Sequence, residues 1–165
     1  AFPTDSNVLN CLQAAVDTAP GERIIYSVKD EDMIRKIRTD NRIGSFDHDT
    51  VFRFLKRRAL RAKVPLDEEQ VKALITAETV PALPLRQALH ENGIAHPDVI
   101  LIDVEGFDGE VVRMILDDNL LPGVLQYEHS KLSRTERRNL TARLTCEGYR
   151  LWADRSDTWG RRHAS

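Results

Sequence analysis

The segment Val99-Ile100-Leu101-Ile102-Asp103-Val104-Glu105-Gly106-Phe107-Asp108-Gly109 constrains the fold more than any other part of the chain. Four apolar residues in a row, mostly β-branched, suit a short strand, and the lack of alternation predicts one covered on both faces. The run stops at Asp103, a glycine turn follows, and Val111, Val112, Ile115 and Leu116 then recur at helical spacing. The pattern returns after the Pro122-Gly123 turn, where Val124-Leu125-Gln126-Tyr127 reads as a second strand ending in Glu128-His129. Ser133 and Glu136 form a capping box for a helix with Leu140 and Leu144 on one face, stopped by Gly148. Tyr149-Arg150-Leu151-Trp152 reads as the final strand. Alternating strand and helix predict an α/β fold with parallel neighbours, whose ligands lie outside the carboxyl ends of the strands.

The upstream part is less regular. Val8 to Val16 and Arg23 to Val28 read as strands on either side of a Pro20-Gly21 turn. Asp30 to Arg38 is weakly helical, and Asn41 to Asp49 reads as a loop holding Gly44-Ser45-Phe46-Asp47. Val51 to Val64 mixes Phe52, Phe54, Leu55 and Leu60 with Lys56, Arg57, Arg58, Arg61 and Lys63, which predicts an amphipathic helix with a basic face. Asp67 with Gln70 opens a short helix carrying Val71, Leu74 and Ile75, and Pro84 starts another that ends at Gly93.

At 165 residues the chain is one domain's worth of material, with 41% hydrophobic residues available for a core. Its two halves are residues 1–64, with the early strands and basic helix, and residues 65–165, with the acid-tipped strands. A net charge of -2, from 24 basic and 26 acidic residues, argues against nucleic acid or anionic lipid as the main partner. Cys11 and Cys146 are too few for a disulfide scaffold, and no apolar run is long enough for a membrane span, so the expected location is the cytoplasm. The opening Ala1-Phe2-Pro3, without Met, points to a processed or truncated product.

Asp103 and Glu128, ending two neighbouring strands, can act as general base, metal ligands or hydroxyl anchors; acids at such turns equally serve as helix caps or partners of loop amides. Histidine as a residue type can take a proton near neutral pH, which makes His129 a candidate acceptor, while a lone histidine after a strand is more often only a rim or packing residue. Gly106 and Gly109 fit a tight turn better than a phosphate cradle, since Glu105, Asp108 and Glu110 would repel an anion. The basic stretch Lys56-Arg57-Arg58 reads as a solvated helix face. A divalent metal is permitted by the rim carboxylates and demanded by no spacing.

Leu101-Ile102-Asp103-Val104-Glu105-Gly106-Phe107-Asp108-Gly109-Glu110-Val111 closely resembles the signature strand and turn of the FkbM family of methyltransferases. Gln126-Tyr127-Glu128-His129-Ser130-Lys131-Leu132 is similar to that family's next strand, and Glu147-Gly148-Tyr149-Arg150-Leu151 to a late one. Ala14-Ala15-Val16 with Gly21-Glu22 and Tyr26 is similar to its third-strand region, and Ile43 to Asp47 to a loop of many members, so the resemblance covers roughly Leu9 to Trp152.

The resemblance implies a class I, Rossmann-like, mostly parallel sheet that binds S-adenosylmethionine and moves its methyl group to a hydroxyl oxygen of a small molecule or sugar. It places Asp103 near the reactive end of the cofactor and Ala15 beside the adenine. Glu128 and His129 become candidates for orienting the acceptor and taking its proton, with Glu105, Ser45 and Phe46 on the acceptor side. The family's Gly-x-Gly cofactor loop has no counterpart among the eight glycines, and the first two strands are missing. The implied fold is therefore incomplete, and this chain alone is expected to bind the cofactor weakly or not at all and to be inactive. Open edges and apolar surface, with oligomerisation through an exposed sheet edge, follow from the missing strands. The rival reading is a non-catalytic α/β protein-interaction domain that has lost cofactor binding.

Overall fold

The structure is a computed structural model describing residues 11–37 and 44–163. The start of the first expected strand, Arg38, and residues 41–43 of the loop lie outside the described residues. The elements in chain order are β1 (Ala15–Val16), β2 (Gly21–Val28), α1 (Glu31–Lys36), β3 (Gly44–Ser45), α2 (His48–Ala62), α3 (Glu68–Ala73) and β4 (Ile75–Leu83). They continue as α4 (Leu85–Glu91), β5 (Val99–Ile102), α5 (Asp108–Asp117), β6 (Val124–Glu128), α6 (Arg134–Cys146), β7 (Tyr149–Ala153) and β8 (Asp157–Arg162). They form an α/β protein with two four-stranded sheets, ordered β1-β4-β2-β3 and β5-β6-β8-β7.

Both sheets are mixed, which corrects the expectation of one mostly parallel sheet. Only β1–β4 and β5–β6 run parallel, and every other described pairing is antiparallel. Two strands missed in the sequence are responsible. The first is β4, whose Ile75 was expected to continue a helix. The helix stops at Leu74, and the β-branched Ile75, Thr76, Thr79 and Val80 pair instead with the whole length of β2. β1 and β2 therefore do not pair with each other across the Pro20-Gly21 turn, because β4 lies between them. Pro81 is tolerated because β1 joins β4 only beyond it, at Ala82 and Leu83. Since β4 belongs to the first sheet, a division at residue 65 runs through that sheet.

The second is β8, disguised by its charged ends and by Gly160. It hairpins back on β7 and inserts between β7 and β6. A Cβ on Gly160 would lie 3.0 Å from Leu151 Cδ2 and 3.1 Å from Tyr149 Cδ1, so a glycine is what lets those side chains pack over the strand.

Periodicity accounts for the helices. α2 buries Val51, Leu55 and Ala59 along one stripe, with Asp47 capping its first turn and Arg53, Arg57 and Arg61 exposed. Both expected capping boxes are closed, Asp67 with Gln70 ahead of α3 and Ser133 with Glu136 ahead of α6. Gly93 and Gly148, with φ of 72° and 85°, end α4 and α6 as left-handed stops.

The larger core lies on one face of the second sheet. Ile102, Leu125, Tyr127 and Tyr149 meet Val111, Val112 and Ile115 of α5 and Leu140 and Leu144 of α6, with Leu85 and Leu89 of α4 at its margin. Tyr149 donates its hydroxyl to the Pro122 carbonyl at 2.6 Å, and burial pushes its pKa up to about 12. Among the described residues the opposite face is open. There β5 is an edge strand covered on one side only, with Val99 54% and Leu101 64% exposed, which corrects the expectation that it is covered on both faces. Its apolar run reports hydrophobicity, and periodicity cannot say whether anything lies over the second face.

Candidate functional site

The chain leaves β5 through a tight left-handed turn. Glu105 has φ of 50° and Gly106 of 109°, so Gly106 is a conformational requirement, whereas Gly109 is a packing one, its bare Cα facing Leu132 Cδ2. Glu105, lacking glycine's freedom, is held in a conformation that costs backbone energy. The turn is pinned by Asp108, which is buried and accepts from Gly106 N at 3.2 Å and Glu128 N at 3.0 Å. One carboxylate thereby ties the end of β5 to the end of β6.

Beyond this turn lies a cleft of about 610 Å³, with a floor of Asp103, Val104, Glu105 and Phe107. Its other walls come from the first sheet: Ala14, Ala15 and Val16, then Ile25, then Gly44, Ser45 and Phe46. An adjoining chamber of about 730 Å³ shares Ser45, Phe46, Val104, Glu105 and Phe107 and adds Asp47, Thr50, Arg53, Arg57 and Lys131. Phe46 and Phe107 meet edge to face across the junction, with centroids 5.7 Å apart. The inner cleft thus offers two acids, Asp103 and Glu105, among mostly apolar walls, and the outer chamber a cationic side.

Asp103, Glu105, Ala15, Ser45 and Phe46, drawn from three distant segments, all line the inner cleft. Asp103 has no hydrogen-bond or ion-pair partner among the described residues. Partial burial, then the negative charges of Glu105, Asp108 and Glu128, raise its carboxyl above the ordinary range, with Lys131 opposing weakly. A group so placed favours a proton or an incoming cation. Glu105 is paired with Lys131, which also lies 3.1 Å from Glu128. The hydrogen bonds and charges of the two glutamates hold the lysine in its charged form against its burial.

Glu128 and His129 do not line either cavity. Glu128 takes the hydroxyl of Ser130 and the Lys131 ammonium, and so acts on the cleft through that lysine. His129 is 4% exposed, its Nδ1 lies 2.9 Å from Thr158 Oγ1, and its backbone N–H donates to Ser156 O at 2.7 Å. The ring expected at the rim as a proton acceptor is a packing link between β6 and β8. Sequence reasoning overlooked Lys131 and Phe107 as lining residues and Asp108 as the brace. The run Glu128-His129-Ser130-Lys131 contained the signal for Lys131, an opposite charge three residues after an acid.

No group of three or more His, Cys, Asp or Glu side chains among the described residues is arranged to hold a metal ion. No described helix is long and apolar enough to cross a membrane. No protein-family model, curated protein or solved structure matches the chain.

Proposed function

We propose that this chain is the catalytic-side portion of an S-adenosylmethionine-dependent methyltransferase of the FkbM type, transferring a methyl group to a hydroxyl oxygen of a small molecule or sugar. The observation that carries the reading is the convergence of Ala15, Ser45, Phe46, Asp103 and Glu105 on one cleft at the carboxyl end of β5. That is where open α/β sheets of Rossmann-like type take their ligands, and β5, α5 and β6 supply the strand-helix-strand unit such sheets repeat.

The cofactor fits the residues in part. The cleft is of ligand size, its apolar Ala15, Val16 and Ile25 suit an adenine, and Asp103 suits a cationic amino acid end. The glycine loop that would supply backbone amides is absent from the sequence, so affinity for this chain is expected to be low. When bound, the cofactor supplies an electrophilic methyl on a sulfonium sulfur. Asp103, with its raised pKa and no partner among the described residues, orients a cation or accepts the proton of a hydroxyl in the cleft. Lys131 holds Glu105 in its left-handed turn, Phe46 and Phe107 narrow the passage between chambers, and Ser45 offers a hydroxyl to the acceptor. His129 has no part in this scheme.

The test is titration of S-adenosylmethionine into the chain and its Asp103→Asn variant, followed by backbone NMR shifts. The expected result is weak binding that moves Ala15, Ser45 and Asp103 and falls about tenfold or more in the variant, equivalent to about 1.4 kcal/mol. Undiminished binding by the variant, or shifts confined to other regions, would overturn the reading. The non-catalytic interaction domain is a second reading, supported by the open face of the second sheet among the described residues.

A further inference from the structure

The uncovered face of the second sheet has an order that the methyltransferase reading leaves unexplained. Register and alternation set its outward residues in three rows across β5, β6, β8 and β7. The middle row is Leu101, Gln126, Trp159 and Trp152. It holds both tryptophans of the chain; Trp152 is 50% exposed and Leu101 64%. On one side lies the row Val99, Val124, Arg161 and Arg150, and on the other Glu128 is followed by Asp157, with Asp154 next to it on the β7–β8 turn. Arg150 and Arg161 are exposed and have no partner among the described residues.

Such a face is self-complementary. Let a second copy stack on it through a two-fold axis that runs along the middle row, perpendicular to the strands. Each strand then lies antiparallel on its own counterpart and the middle rows superpose; on β8 and β7 the arginines of each copy face the acids of the other, while on β6 Val124 faces the partner's Glu128, which keeps its own Lys131. Arg161 meets the partner's Asp157, whose oxygens also accept from Gln126 and Ser156 of its own chain, and Arg150 the partner's Asp154, while Trp159 and Trp152 meet their counterparts toward the β7 side of the patch. Turning the second copy about an axis along the strands would oppose like rows and leave the arginines unpaired. We infer that this face is a symmetric homodimer interface, formed by stacking sheet on sheet and not by pairing the β5 edges.

The patch is small. Four strands about 4.8 Å apart make it roughly 15 Å across, at the low end of interfaces that hold proteins together. The dimer is therefore reversible, with a dissociation constant on the order of tens to hundreds of micromolar.

Sedimentation equilibrium of the chain at about 10 to 500 µM tests this, a range that brackets the expected dissociation constant. The weight-average mass should rise from 18.8 kDa toward twice that value and follow a monomer–dimer equilibrium. Trp152→Asp should weaken association by about tenfold or more. Arg161→Glu alone should weaken it, and adding Asp157→Arg to the same chain should restore it. That reciprocal rescue is not expected if either residue matters only for folding, and circular dichroism checks the fold of each variant. A mass that stays at 18.8 kDa throughout, or one that grows beyond twice that value, would overturn the inference. Unchanged association in Trp152→Asp, or no rescue by the double change in folded protein, would overturn it too. The outcome is independent of whether S-adenosylmethionine binds.

Discussion

Asp17 and Asp103 each follow a short parallel strand, β1 in the first sheet and β5 in the second, and the fold treats them in opposite ways. Asp17 is nearly inaccessible and bound on both oxygens, to the Arg23 guanidinium and to Thr18 N, and the Arg23 hydrogen bond foremost lowers its pKa against the effect of burial. Asp103 reaches solvent, has no partner among the described residues and is raised by partial burial and by surrounding acids. Sequence position alone makes these two residues look equivalent. What separates them is whether a neighbour neutralises the charge, and the acid left unneutralised is the one that lines the cleft.

Asp108 sharpens the contrast from the other direction, as an acid five residues from Asp103 that is buried and fully used as a brace. Asp108→Ala should be the most damaging single change, at about 3 kcal/mol by chemical denaturation, because it leaves the Gly106 and Glu128 amides without their acceptor. Asp108→Asn, which keeps one oxygen, should cost about half as much. If both variants unfold like the parent, the turn is not braced as described.

Asp17→Asn should cost about 1–2 kcal/mol at neutral pH, through loss of the charge-assisted bond to Arg23. Because its folded pKa is depressed, the stability that Asp17 contributes is present above the unfolded pKa and disappears as pH falls through the folded one. The parent and variant curves should therefore converge in acid.

Asp103→Asn should do the reverse and stabilise the protein at pH 7, by less than about 1 kcal/mol because solvent screens an exposed group. Its folded pKa is raised, so its favourable contribution exists in acid and is lost as pH rises through that value. The gain in the variant should thus appear only above the acid range. A variant less stable than the parent at pH 7 would mean that Asp103 has a partner after all, and the comparison with Asp17 would fail.

Local signals survived well from sequence to structure. The strand, turn and helix around Asp103, the two capping boxes and the glycine stops depend on residues close together in the chain, which a linear reading can weigh. β4 and β8 escaped because their reasons are distant. Ile75 to Leu83 is a strand because β2 lies alongside it, and Gly160 is in a strand because Tyr149 and Leu151 need room above it. The same limit divides the candidate site. Asp103 was legible as the end of an apolar run, whereas Ala15, Ser45 and Phe46 came from a family resemblance, since no periodicity reveals that three segments share one cleft. His129 stayed open between rim base and packing residue because nothing nearby in sequence announces Thr158, whose hydroxyl its ring Nδ1 meets.

The ties around Asp108 and Lys131 also determine how the cleft can breathe. Its lower jaw is a single casting: the turn after β5, the tip of β6 and the start of α5 are fastened by one carboxylate and one ammonium. The upper jaw is built from the two-residue strands β1 and β3 and the loop leading to α2, with Phe46 touching Phe107 at the gap. Any ligand that enters must therefore be gripped by movement from above, so amide exchange should slow first around Ser45 and Phe46 while Gly106 and Glu128 keep time with the core.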